Sequence, residues 1–285
     1  MRYPTLRNLT FHPLMPLHAT HAQNHPIVCI PGAGASVTTF IAFAGALGDS
    51  HPIFGLQPRG LDLVHLPHAS VVETAHFNVA AVATLHSVRP IHLIGHSYGG
   101  LVAFEMALQL EQSGAPVESL TLIDSDPPDE RPNHSNLPTT SELFQAFTEV
   151  FEDNYEIELA LNNDLMASGD QINFLLSLHR TLLSRRCLPA HSTIDMIRGS
   201  FLHFASALTN RYIPQDIRRS ATHLAYVRSK RLNEMDNYER LIVNTKQWRL
   251  FSPNLTIWSG PGDHFSILRP PHVSSLAQWW RAAHS

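Results

Sequence analysis

A chain of 285 residues, 44% hydrophobic and only 15% charged, has enough apolar side chain for a large core and too little charge to stay unfolded. Its net charge of −4 speaks against general nucleic-acid binding. No apolar run reaches membrane-spanning length, and Met1-Arg2-Tyr3-Pro4 does not open a secretory signal. The two cysteines, Cys29 and Cys187, make no disulfide framework and read as free thiols in a reducing compartment, which makes the cytoplasm the expected location. Of the 19 histidines, His18, His21 and His25 lie close together. They sit in a Pro/Asn/Gln-containing stretch with no second ligand group, so they read as surface or packing residues rather than a metal site.

Residues 1 to 25, rich in Pro, His, Thr and Asn, read as a linker or edge strand. His25 to Ile30 is a short apolar strand, followed by the loop Pro31-Gly32-Ala33-Gly34-Ala35-Ser36. A glycine-rich loop after a buried strand lets backbone approach a ligand closely. It is not a phosphate-binding loop, because the third glycine and a Gly-Lys-Ser/Thr are missing. Thr38 to Leu47 has helical spacing, Pro52 to Leu56 is a strand, and Ser70 to Val88 reads as a helix with Val72, Ala75, Val79 and Val82 on one face.

Ile91-His92-Leu93-Ile94 then runs into Gly95-His96-Ser97-Tyr98-Gly99, and a helix is expected from Leu101 to Ser113. This Gly-x-Ser-x-Gly between strand and helix is the setting of a nucleophilic serine in the α/β-hydrolase fold. Gly95 and Gly99 leave room for neighbouring backbone, and the helix N-terminus aims N–H groups at developing negative charge. In that fold the loop after the earlier strand gives one oxyanion N–H and the residue after the serine gives the other. Here those groups are expected to be the backbone N–H of Ala33 and of Tyr98.

Val117 to Ile123 is a strand that ends at Asp124, a place suited to an acid that orients a histidine. Asp126 and Asp129 are rivals in the same loop, but Asp124 leaves the strand first, and Pro127-Pro128 turns the chain away. From about 128 to 219 the strand–helix alternation stops. Three helical stretches, Ser141 to Phe151, Gln171 to Leu183 and Ile194 to Tyr212, read as a lid insertion. Ala221 to Val227 and Leu255 to Trp258 are strands, and Pro270 to Ala283 is the closing helix. After the last strand, Ser259-Gly260-Pro261-Gly262-Asp263-His264 places His264 in a Gly-rich loop, which completes the order Ser, Asp, His. His264 would take the Ser97 proton while Asp124 holds its other nitrogen. The expected architecture is α/β: a mostly parallel sheet with helices on both faces, spanning 26 to 285 with the lid inserted.

Gly95-His96-Ser97-Tyr98-Gly99-Gly100, Gln57-Pro58-Arg59-Gly60-Leu61, Asp124 and Gly262-Asp263-His264-Phe265-Ser266-Ile267-Leu268 together resemble the thioesterase domains of nonribosomal peptide and polyketide synthetases. The resemblance covers residues 26 to 126 and 254 to 280, and the lid only in position and helical character. It implies a serine that receives a peptidyl or acyl chain as a thioester from the phosphopantetheine arm of a carrier domain, then releases it to water or to a nucleophile within the chain. No cofactor of its own is implied. The Gln-Pro-Arg-Gly segment is similar to the terminal, chain-releasing class, whereas stand-alone editing enzymes tend to carry Pro-Gly-Arg there. This points to a domain from the C-terminal end of a larger synthetase, with a linker before it. An editing thioesterase and a general carboxylesterase share every catalytic residue and remain alternatives.

Overall fold

Seven short apolar runs, separated by turns and helices, pair into one sheet in the computed structural model, which describes residues 11–20, 22–86, 89–128 and 137–284. In chain order the elements are β1 (Leu14–His18), β2 (Ile27–Ile30), α1 (Ile41–Leu47), β3 (Ile53–Leu56), α2 (Val71–Ala81), α3 (Ala83–His86), β4 (Ile91–His96), α4 (Tyr98–Gln112) and β5 (Val117–Ile123). Then follow α5 (Thr140–Tyr155), α6 (Asn163–Ser168), α7 (Gln171–Ser184), α8 (Ile194–Thr209), β6 (Thr222–Tyr226), α9 (Glu234–Phe251), β7 (Leu255–Ser259) and α10 (His272–Ala283). The strand order is β1-β3-β2-β4-β5-β6-β7, parallel throughout except for the antiparallel edge strand β1. Every residue of β2 and β4 is buried, as expected for central parallel strands covered on both faces. This is the α/β-hydrolase fold.

Helices α2, α4 and α9 enclose the core on one face, around Phe104, Trp248 and Leu122. Helices α1 and α10 enclose the other, around Phe43, Ile94 and Trp280. Each such fully buried side chain contributes roughly 1.5–3 kcal/mol. The sheet positions the site through its topology. From β2 the chain moves one way to β3, then crosses back to β4, so a crevice opens at the carboxyl ends of β2 and β4. The register keeps these ends level: Ile30 faces Gly95, and His96 faces Ile123. The loop after β2, Ser97 and Asp124 therefore emerge side by side.

Several boundaries differ from the sequence reading. The stretch from Val37 to Leu47 opens as a 3-10 turn, Val37–Phe40, before α1. Helix α4 begins at Tyr98 rather than Leu101, because Ser97 is its N-cap. The helix expected over 70–88 is α2 plus the short α3; residues 87 and 88 lie outside the described ones, as do Asp129 and His21. His18 instead pairs with Asp49, and His25 with Glu118. Both cysteines are free, and burial pushes the Cys29 thiol up.

Helix α9 had no counterpart in the sequence reading. Its inner face carries Asn237, Asn244, Trp248 and Phe251, whereas Met235, Tyr238, Ile242 and Val243 lie exposed. Its apolar residues thus give no stripe of helical period facing the core. The usable signal was its start: the Asn233 side chain accepts from the Asp236 N–H, with Glu234 and Asp236 in the first turn.

Between β5 and β6, helices α5 to α8 build their own apolar cluster around Phe144, Phe147, Phe174 and Phe201. The Phe144 and Phe174 rings stack at 4.0 Å. Helix α5 starts with a capping box between Thr139 and Glu142. Helix α8 packs so closely on the body that a Cβ at Gly199 would lie 2.4 Å from the Leu61 carbonyl oxygen.

Candidate active site

Ser97 sits at the β4–α4 turn with φ 55° and ψ −128°, a backbone conformation that costs a non-glycine residue energy and persists only where the surroundings enforce it. They do so here. A Cβ at Gly95 would fall 2.2 Å from the Gly99 carbonyl oxygen, so strand and helix meet too closely for any side chain. The Ser97 N–H donates to the Ile123 carbonyl at 2.9 Å, and the Ser125 hydroxyl donates to the Ser97 carbonyl at 2.8 Å. The Ser125 carbonyl in turn accepts from the Trp248 indole at 2.9 Å.

The histidine and the acid meet across 140 residues of chain. His264 Nδ1 lies 2.7 Å from Asp124 Oδ2, and Asp124 is 4% exposed. Burial alone would raise the Asp124 carboxyl, but the hydrogen bond from His264 and the nearby charges, Arg240 among them, outweigh it and hold its pKa below the ordinary value. Arg240, on α9, donates to Asp124 Oδ1 at 3.1 Å and to Asp126 at 3.2 Å. Asn244 also holds Asp126, at 2.9 Å. Asp126 thus faces Arg240 and Asn244, and the carboxylate on His264 is that of Asp124.

His96 packs its ring 4.7 Å from that of His264. Its Nε2–H donates to the His264 carbonyl at 2.9 Å, while its buried Nδ1 has no partner. Burial, then the neighbouring His264, lowers its pKa to about 3, so His96 is a neutral strut under the histidine loop.

The loop after β2 lies against the nucleophile: a Cβ at Gly32 would be 3.1 Å from the Ser97 Cβ. Among the described residues, the N–H groups of Ala33 and Tyr98 have no intramolecular partner. Gln57 Oε1 accepts from the Val37 N–H at 3.1 Å and the Ser36 hydroxyl at 3.2 Å, pinning the far end of this loop. This gives the Gln-Pro-Arg-Gly segment a structural job.

Ser97, His264, Ala33 and Tyr98 all line one cavity of about 780 Å³, with Asp124 behind His264. Its walls are mainly apolar, with Phe147 and Phe151 from α5 and Phe204 and Leu208 from α8. The structure thus brings together all five residues singled out from sequence. Arg240, His96, Ser125 and Gln57 complete the surroundings. Nothing local marked Arg240 and Ser125, whose contacts join distant segments.

The family described as the thioesterase domain matches residues 25–282. The chain belongs to that family. Indigoidine synthase of Streptomyces lavendulae is 32% identical to this thioesterase domain over 142 residues, which is 46% of this chain and 11% of that protein. Aspulvinone E synthetase melA of Aspergillus terreus is 27% identical over 290 residues, 96% of this chain and 29% of that protein. The chain therefore spans well under half the length of either synthetase. A solved structure of the Vlm2 thioesterase domain, bound with a dodecadepsipeptide, has the same fold, with a TM-score of 0.68 at 23% identity over 95% of this chain and 97% of that one. Among the described residues, no helix of this thioesterase is long and apolar enough to cross a membrane.

Proposed function

We propose that this thioesterase domain releases a peptidyl or acyl chain from the phosphopantetheine arm of a carrier domain, through an ester on Ser97. The observation that carries this reading is the 2.7 Å contact of His264 with Asp124, beside a serine at a strained elbow in a large apolar cavity. Ser97 Oγ attacks the thioester carbonyl carbon while His264 Nε2 takes its proton. The new oxyanion is held by the Ala33 and Tyr98 N–H groups. The intermediate collapses, the C–S bond breaks, and His264 returns its proton to the thiolate. Water, or a hydroxyl or amine of the bound chain, then attacks the Ser97 ester by the same route.

The carrier domain belongs to this reading because the similar proteins are synthetases much longer than this chain. The same relatives favour chain release over stand-alone editing. The cavity volume suits a chain larger than acetyl. The test is turnover of a carrier-bound acyl thioester by Ser97→Ala. A loss on the order of a thousandfold or more supports the reading, and retained turnover rejects it.

A further inference from the structure

Gly34 is gripped at both of its backbone groups by one turn of the lid. Its N–H donates to His203 Nδ1 at 2.9 Å, and its carbonyl accepts from the Ser200 hydroxyl at 2.7 Å. His203 and Ser200 lie one turn apart on α8, more than 160 residues away in sequence. Gly34 is the third residue of a tight turn closed by the Ala35 N–H donating to the Gly32 carbonyl at 3.1 Å, and its φ is +70°. Positive φ at that position is the mark of a type II turn, which differs from type I by a flip of the central peptide. Here that peptide joins Ala33 to Gly34. A flip would turn the Gly34 N–H away from His203.

His203 can accept this bond because it is neutral: burial lowers its pKa to about 4. A side chain at position 34 would meet the Ser200 carbonyl oxygen at 3.0 Å and the Phe204 Cβ at 3.1 Å, so glycine permits both the turn and the seating of α8. The same helix reaches the other proposed oxyanion residue. Asn210 donates to the Tyr98 hydroxyl at 3.1 Å, and the His203 ring meets the Tyr98 ring edge-on at 6.2 Å. Ser206 fastens α8 to the His68 carbonyl at 3.1 Å.

We propose that His203 and Ser200 are positioning residues: by anchoring both backbone groups of Gly34 they hold the Gly32–Ala35 turn, and with it the Ala33 backbone beside Ser97, in its working form. The proposal rests on the Ser97 and Ala33 roles given above. It makes α8 a fixed, functional wall, in contrast to a cover that swings open as a unit. A group acting through the oxyanion site affects the transition state more than substrate binding.

The experiment compares His203→Leu, which removes the acceptor, with His203→Asn, whose Oδ1 offers one at the δ position, and with Ser200→Ala. Steady-state hydrolysis of a short acyl thioester is measured beside amide hydrogen exchange of the peptide containing residues 32–36. His203→Leu is expected to lower kcat about tenfold to a hundredfold, to change KM less than about threefold and to speed exchange at Gly34. His203→Asn is expected to restore most of kcat and the protection. Wild-type kcat in His203→Leu overturns the proposal, and so does equal loss in both variants with Gly34 still protected. If His203→Leu does not fold, Ser200→Ala decides: it leaves the core intact, and an unchanged kcat with unchanged exchange overturns the proposal. Retained turnover in Ser97→Ala would reject the underlying reaction instead, a result separate from all of these.

Discussion

Arg240 donates to one oxygen of Asp124 at 3.1 Å while His264 occupies the other at 2.7 Å. The acid of the proposed triad is therefore shared between its histidine and a cation on α9. The guanidinium also donates to the Val227 carbonyl and lies over the Tyr226 ring, so its place is well defined. A fixed positive charge beside the carboxylate weakens the support that Asp124 can give to an imidazolium. Arg240→Gln removes that charge together with one of the donors that fix Asp124 in place. Its kcat is expected to change less than about tenfold, far less than that of a variant without the Asp124 carboxylate. Steady-state kinetics check this, and a loss as large as that caused by removing the carboxylate would mean that Arg240 is needed to place Asp124.

Asp124 and Asp126 are separable by substitution. Asp124→Asn keeps the shape but offers His264 no anion, and kcat is expected to fall about a thousandfold to ten-thousandfold. Asp126 has a largely exposed side chain and touches Arg240 and Asn244. Asp126→Asn is expected to change kcat less than about tenfold. Kinetics on the two variants check the assignment.

Much of the site was legible because this fold puts its chemistry at strand ends in a fixed chain order. Ser97 and His264 sit in glycine-marked turns, and Asp124 ends an apolar strand, so all three could be read from a few neighbouring residues. What was missed depends on contacts between remote segments. Helix α9 turns two asparagines inward and several large apolar residues outward, which hides its period, and Arg240 was hidden with it. His203 and Ser200 looked like ordinary members of an apolar lid helix. Only the fold brings them to Gly34.

A cluster of histidines at the other end of the sheet makes stability depend on pH. His51, His92 and His284 surround Trp280, with His223 4.6 Å from His284 and His25 6.0 Å from His92. Burial, then mutual repulsion, lowers His92 to about 3 and His223 to about 4, and lowers His51 too; burial lowers His284 against its hydrogen bond to the Trp280 carbonyl and the charge of Glu118. The unfolded chain takes up these protons near pH 6.5, but the folded one does not. The stabilising contribution is full above that pH and is lost as pH falls toward 3. For the buried His92 alone the loss by pH 5.5 is on the order of 1 kcal/mol. Urea midpoints at pH 7.5 and 5.5 are expected to differ accordingly, and His92→Gln is expected to flatten that difference.

The elbow itself admits no extra atoms. A Cβ at Gly100 would lie 1.9 Å from Ser125 Oγ, the hydroxyl that holds the Ser97 carbonyl. Gly100→Ala is expected to cost about 3 kcal/mol and to displace Ser97. Thermal melting together with fluorophosphonate labelling of Ser97 checks both effects.

Chain release through Ser97 is tested by intact-protein mass spectrometry after mixing the domain with a carrier domain loaded with a peptidyl thioester, beside one loaded with acetyl. The peptidyl mass is expected on Ser97, absent in Ser97→Ala, followed by a released linear or cyclic product. Rapid clearance of acetyl with no peptidyl adduct would contradict chain release and favour editing. No adduct from either carrier, with ready cleavage of simple oxygen esters, would contradict the carrier partnership itself.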